Sequence, residues 1–541
     1  MKATSANSMR AQDEKLMPPD AAPAVEVQHE TGTSPRDEPP DTRTRRSATI
    51  VLLAAVACVV LGGKLITIFA LGSPMPFGDQ WDGEAANLFS PYLKGTLSFA
   101  DLMAAHNEHR ILVFRVFALA HLELAGEWNV RLEMVFGAIV HTAVITWLAA
   151  LLMPLIAVHR RMLLAGFVAL LFALPMGYEN TLWGFQGQVY LALLFGIAAL
   201  VAFAFATPFS ARWFGGLAAA VLSYFSFATG VAAVLAVVAL VGLQIATDVR
   251  KRCGREIAGV VVLTLIALAM ILWAASIPHP ISVPWTSFIQ GLCRFAAVVG
   301  AGFVPMVWFC YHTVARRPGI SDRVWVAVGI GVWVAVQLVL LAYGRGTAIA
   351  ARYLDIVLLV YPVALVAVFA SLDRARACRF SRFAMQGAVT WVFIVVAAFG
   401  ALGYGLVLKA VAWAEGAHQQ EVNVQAYLDT RNVADLKAKG GRGQTVDLSF
   451  PDPQRLAAIL ADPDVRSILP REFRPTDADN AGARGRMLLK GSLAGVTGGA
   501  VGLLAVVAPG LLALGVGLFF AVGARLSIPH AAVALLRSRL E

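Results

Sequence analysis

Charge is scarce in this chain. Asp, Glu, Lys and Arg make up 14% of its 541 residues and apolar side chains 58%, whereas soluble domains carry about 25% charged and 45–50% apolar residues. That balance excludes a soluble globular protein. Cysteine is scarce as well. Cys58, Cys253, Cys293, Cys310 and Cys378 fall in apolar stretches or basic loops, with no CxxC pair, so neither a disulfide framework nor a zinc site is indicated. No soluble-type repeat is present. The net charge of +10 does not gather on one domain but is strung out between apolar stretches, which argues against nucleic acid as a partner.

Apolar stretches long enough to cross a bilayer, about 20 residues each, recur about twelve times, with a range of 10–13 because some are short or nearly fused. They cover 48–71, 130–153, 162–177, 188–207, 213–229, 231–247, 257–277, 289–312, 324–343, 353–371, 384–408 and 490–521. The expected fold is an all-α polytopic membrane protein. Basic residues cluster at 43–46, 160–161, 250–255, 316–323, 374–382 and 537–539. These segments share one side if both termini are cytoplasmic, the positive-inside pattern. The Ala-, Arg- and Gly-rich composition suggests a bacterial inner (cytoplasmic) membrane, with membrane lipids as obligatory partners.

Residues 1–47, rich in Pro, Ser, Thr and acids, read as a disordered cytoplasmic tail. No small-x-small cleavage site follows, so the first span reads as a signal anchor. A multi-span core occupies 48–408, with an outer loop at 72–129. An extracytoplasmic domain covers 409–489, a final span 490–521, and a cytoplasmic tail 522–541. The outer loop holds two short interfacial helices. One, at 98–109, starts with Ser98 and has Asp101 three residues on, a variant capping box. The other, at 111–124, is too short to span. IPHPISVPW at 277–285 reads as a rigid turn, and Leu456, Ile459 and Leu460 suggest an amphipathic helix in the late domain. Lys64, inside the first span, is expected to snorkel to an interface.

Polar chemistry gathers on the outer side. GDQWDGE places Asp79, Asp82 and Glu84 just beyond the first span, where a carboxylate can act as general base or simply hold the loop in water. His106, Glu108, His109 and Arg110 follow. On a helix, His106 lies beside His109 and Arg110 at i+3 and i+4, a face suited to phosphate or to water. The order matches neither HExxH nor HxxEH, so a metalloprotease is unsupported. Tyr178, Glu179, Asn180, Trp183, Gln186 and Gln188 offer aromatic faces and amides for carbohydrate. The aromatics also suit membrane anchoring. Arg345 and the Arg352–Tyr353 pair sit on the outer side, against the positive-inside trend. A lipid phosphate or a neighbouring acid such as Asp355 is the natural partner.

An acid cluster after the first span, a polar helix behind it, and ARYLDIVLLVYP at 351–362 together resemble the GT-C class of membrane glycosyltransferases, the mannosyl and aminoarabinose transferase-like superfamily. The resemblance covers roughly 48–408. The spaced DQWDGE stands where that class usually has an adjacent Asp–Glu pair. The likeness implies inverting transfer of a sugar from a polyprenyl-phosphate donor to a glycan, lipid or protein acceptor on the periplasmic face. Asp79 or Asp82 would be the base, with Glu84 in the same cluster. Arg352 would meet the leaving phosphate, helped by Arg345, His106, His109, Arg110 and Tyr353. The 178–188 loop would shape sugar or acceptor recognition. No cofactor is required, and a divalent cation beside the acids is compatible with this chemistry without being needed for it.

Three other readings compete. A transporter or flippase of lipid-linked glycans predicts ionisable groups deep in the spans, whereas these spans look poor in charge. A polysaccharide polymerase or ligase places its key residues in large late loops. A non-catalytic scaffold leaves the HNEHR cluster unexplained.

Overall fold

Hydrocarbon offers no partner to a backbone amide, so an apolar stretch of spanning length satisfies its own N–H and C=O groups by coiling into a helix. The computed structural model describes residues 42–107, 109–276, 283–376, 381–437 and 446–527. Among them every regular element is helical, and the only extended pairing is a single bridge between His106 and His109. The chain divides into Met1–Arg45 and Arg46–Glu541, and the features below belong to the second unit. Outside the described residues lie the tail up to residue 41, Glu108, most of the 277–285 turn, Cys378 with part of the basic 374–382 segment, residues 438–445 of the expected late domain, and residues 528–541.

Among the described residues, ten helical segments are long and apolar enough to cross a membrane. They are α1 (Arg46–Leu71), α2 (Val130–Leu155), α3 (Gly184–Phe205), α4 (Ala228–Ala246), α5 (Gly254–Ala275), α6 (Trp285–Arg316), α7 (Val324–Arg345), α8 (Ala351–Ala375), α9 (Arg382–Thr430) and α10 (Ala494–Ala524). The apolar stretches at 162–177 and 213–229 also coil, as Arg161–Ala173 and Ala211–Tyr224. Their 13 and 14 residues reach about 20 Å, short of the roughly 30 Å hydrocarbon layer.

Burial ranks the helices. The most apolar stretch of α8 is 83% buried and that of α10 only 11%, so α8 is central and α10 peripheral. α8 packs against α6 and α9, α7 against α4 and α6, and α3 against α2, α4 and Ala211–Tyr224. Large apolar side chains left outside, such as Leu265, Val304, Phe393, Val506 and Phe520, suit a lipid surround.

One boundary differs clearly from the sequence reading. The span expected at 384–408 does not stop at 408: α9 continues to Thr430, and its 49 residues measure about 74 Å, more than twice the hydrocarbon thickness. The extra turns project from the bundle, and residues 446–487 fold beside them. Three short helices follow there, Pro453–Ala461, Pro463–Ile468 and Asn480–Arg486, each opened by an aspartate accepting a backbone N–H: Asp452, Asp462 and Asp479. Proline at the first position of two of them is pre-set for a helix start. Leu456, Ile459 and Leu460 are buried, as their spacing predicts.

Candidate functional site

The loop leaving α1 turns at Gly78, whose φ of +56° disfavours a side chain; a Cβ there would also meet the Trp183 ring at 3.0 Å. The backbone then coils as a π-helix over Trp81–Phe89, a winding that is rare and concentrated at functional sites. The three acids of the loop point to three different surroundings.

Asp79 is half exposed, with Oδ2 3.8 Å from His106 Nε2. Burial pushes its carboxyl up, but the His106 ring and the charge of Arg352 outweigh that and hold it below the usual carboxylate range. Asp82 turns to the late segment, where its Oδ1 accepts from Arg455 Nε and Nη2, both at 3.0 Å. Glu84 is fully buried. Its Oε2 accepts from Trp128 Nε1 at 2.9 Å and Gln80 Nε2 at 3.2 Å, and the same Gln80 nitrogen donates to Glu133 at 3.1 Å. Burial pushes the Glu84 carboxyl up to about 8.

The histidines do not share a helix face, which corrects the expectation for 98–109. The capping box of Ser98 and Asp101 forms, but the helix it opens is only Phe99–Met103. Buried Arg115 explains the stop. Its Nη1 donates to the carbonyls of Asp101, Leu102 and Ala104 at 3.0, 2.9 and 2.6 Å, the acceptors a continuing helix would need. The chain instead makes a tight turn. His106 N–H donates to His109 C=O at 2.8 Å, His109 N–H returns the bond at 2.9 Å, and Asn107 takes φ +50°.

The turn disperses the cluster. His106 faces Asp79 and sets its ring edge against Phe185 at 5.2 Å. His109 stacks on Phe227 at 4.4 Å, and its Nδ1 accepts from the Ala228 N–H at 3.2 Å. Burial pulls the His109 imidazole down to about 3, so it is neutral at physiological pH and brings no cation to a phosphate. Arg110 donates to the Met103 carbonyl at 2.9 Å and lies 4.2 Å over the Trp273 ring.

Segments 178–188 and 351–355 do come together, largely as buried structure rather than open loops, while 345–350 stays at least partly exposed apart from Gly346. Tyr178–Leu182 is a short helix, and Gly184–Gln186 makes a tighter turn before α3 continues. Glu179 Oε1 accepts from the Ala351 N–H at 2.9 Å, and its Oε2 lies 3.6 Å from Arg352 Nε. Asn180 Nδ2 donates to the Arg352 carbonyl at 2.8 Å and to Asp355 Oδ2 at 2.9 Å. The Arg352 guanidinium stands 5.9 Å from the Trp183 ring and 5.7 Å from that of Tyr353. Tyr353, Gln186 and Gln188 are buried, and Arg345 closes α7.

Several site features escape the sequence reading. Phe77 stacks on Trp183 at 5.6 Å, and Trp413 from α9 reaches Phe77, Tyr178 and Trp183 at 5.7, 5.8 and 6.2 Å. The side-chain atoms His106 Nε2, Trp183 Nε1, Gln186 Oε1 and Arg352 Nε are buried without a hydrogen-bond partner among the described residues. His106 Nε2 and Arg352 Nε keep only the long ion pairs to Asp79 and Glu179, at 3.8 and 3.6 Å, and polar atoms so weakly engaged beside a half-exposed carboxylate suit a polar ligand. Lys64 does not snorkel. It is 5% exposed, and its Nζ donates to Thr181 Oγ1 and Tyr190 Oη, each at 3.0 Å. Single ionisable residues in three separate spans, Lys64, His141 and Asp355, were the available signal.

Among the described residues no three His, Cys, Asp or Glu side chains gather closely enough to hold a metal ion. Compared with protein-family models, with curated proteins and with solved structures, the chain matches none.

Proposed function

We propose that this protein is a polytopic glycosyltransferase of the GT-C kind. It would move a sugar from a polyprenyl-phosphate donor to an envelope acceptor, with Asp79 as base and Arg352 as the group that meets the phosphate. The observation that carries the reading is the facing of Asp79, His106 and Arg352 at one end of a membrane bundle. The far end holds basic residues such as Arg160 and Arg317, paired with Asp373 and Asp248. Under the positive-inside rule that far end is cytoplasmic, which would put the site on the periplasmic side of a bacterial inner membrane. The proposed path has twelve crossings and both termini inside, with Arg161–Ala173 and Ala211–Tyr224 crossing together with the residues that flank them, since neither helix spans the layer alone.

In the transfer, an acceptor hydroxyl gives its proton to the Asp79 carboxylate while its oxygen attacks the anomeric carbon. The bond from that carbon to the phosphate oxygen breaks with inversion, and the lipid phosphate leaves with the electron pair. Arg352 offsets the charge gathering on it. His106 orients Asp79, and Tyr178, Trp183 and Trp413 supply apolar ring surface beside the reacting sugar. Asp79, held ionised at neutral pH, is favoured over Asp82, which is engaged by Arg455, and over Glu84, which is enclosed.

The test is release of polyprenyl phosphate from a panel of polyprenyl-phosphate sugars by the protein in nanodiscs. Asp79→Asn is expected to lose about 10²–10⁴-fold in turnover, the usual worth of a general base, while Asp82→Asn keeps most of it. Arg352→Ala is expected to weaken both donor binding and turnover. Full activity in Asp79→Asn would refute the assignment. The polar network around Lys64, deep among the spans, favours a second reading as a flippase of lipid-linked glycans. Donor binding and translocation without release would support that reading.

A further inference from the structure

Five side chains from three separate parts of the chain join behind Arg352 inside the membrane bundle. Lys64 of α1 donates to Thr181 and to Tyr190 Oη. The Tyr190 hydroxyl donates onward to Asp355 Oδ2 at 2.9 Å, and Asn180 donates both to that carboxylate and to the Arg352 carbonyl. Lys64, Tyr190, Asn180 and Asp355 are each at most 5% exposed. The Tyr190 ring is held by His141, stacked 4.3 Å away at an interplanar angle of 10°. Gly177 leaves room for the Asp355 carboxylate, which a Cβ there would overlap.

Burying an ammonium and a carboxylate is expensive, and apolar residues of like volume often serve stability as well or better. A chain that keeps such a pair, bridged by one tyrosine hydroxyl, is using it for something other than adhesion. The bonds converge on one short segment. Asp355, the Arg352 carbonyl and, through Glu179, the Ala351 N–H are all held from this side. The segment they immobilise presents the Arg352 guanidinium toward Trp183 and Asp79.

We propose that Lys64, Tyr190, Asp355 and Asn180 form a positioning relay that fixes Arg352 for an anionic ligand. The proposal rests on the reading of Arg352 as the phosphate-meeting group. None of the four touches the ligand, and they act through the backbone of residues 351–355.

Tyr190→Phe tests it, because it keeps the ring, its stacking on His141 and both charges, and removes only the bridging hydroxyl. The first readout needs no substrate: phenylglyoxal modification of each arginine, followed by peptide mass spectrometry on the detergent-purified full chain. Arg352 is expected to react several-fold faster in Tyr190→Phe than in the wild type, while Arg250, at the other end of the bundle, reacts unchanged. Asp355→Asn, which keeps the shape and removes the charge, should act in the same direction if Tyr190→Phe does not fold. Unchanged Arg352 reactivity in either folded variant overturns the relay.

The second readout is donor KM and kcat for polyprenyl-phosphate sugar. Tyr190→Phe is expected to raise KM several-fold in the wild-type background and to add nothing to Arg352→Lys. A merely structural defect would add in full, and full additivity therefore also overturns the relay. A wild type that never releases polyprenyl phosphate defeats the functional reading instead, and the modification experiment still decides the relay.

Discussion

Glu84 shows how much a single side chain depends on its surroundings. It stands five residues beyond Asp79, yet one carboxyl is half exposed and ionised while the other is enclosed by Trp128 and Gln80 and pushed up to about 8. Between its ordinary value near 4.5 and 8, the folded protein therefore holds a proton that the unfolded chain has released. Stability from this group is complete below about pH 4.5 and is lost as pH rises through 8. Thermal unfolding in detergent is expected to show the wild type losing stability from pH 6 to 9, with the loss flattened in Glu84→Gln. His109 has the opposite sign. Its folded value near 3 lies below the ordinary 6.5, so its contribution is present above pH 6.5 and drains away as pH falls toward 3. His109→Asn should weaken the decline in stability between pH 6 and 4. Gly177→Ala drives a methyl into the Asp355 carboxylate and is expected to cost about 1–3 kcal/mol, as overpacking does, readable as a lowered Tm.

The late segment and the first loop behave as one built piece. Lys94 meets Asp462 at 2.7 Å, Arg486 meets Asp464 at 2.7 Å, Arg474 pairs with Glu127, and the Trp128 N–H donates to the Ile468 carbonyl at 2.7 Å. These contacts differ in worth. Arg455 and Asp82 are 48% and 33% exposed, so Arg455→Ala is expected to change stability by less than about 1 kcal/mol. Trp128→Phe strips a donor from an enclosed carboxyl and is expected to cost about 1–3 kcal/mol; the two variants side by side in a thermal melt check the ranking. Hydrophobic periodicity lapses after 408, so the sequence by itself marks the late segment as separate. It has no means of showing that α9 carries on as a helix to Thr430 and brings Trp413 beside Trp183.

At the scale of the bundle, the cluster of Asp79, His106 and Arg352 and the ion pairs Arg160–Asp373 and Arg317–Asp248 sit at opposite ends of the described helices. Cysteines placed singly at 252 and 455 in a cysteine-free background are expected to react with a membrane-impermeant maleimide from opposite sides of sealed vesicles. Labelling of both from one side would contradict the proposed path.

Helicity, the polytopic class and the approximate span positions were legible in the sequence, because transfer of each segment into hydrocarbon depends on that segment's own side chains. The acid cluster and the Arg352–Tyr353 pair were visible for the same reason: polarity stands out against an apolar background. Which acid faces His106, why the helix stops at Met103, and where Lys64 finds its partners all turn on residues 11 to 373 positions apart in sequence. Side-chain packing sets those pairings, and packing is a property of the assembled helices that no single stretch carries.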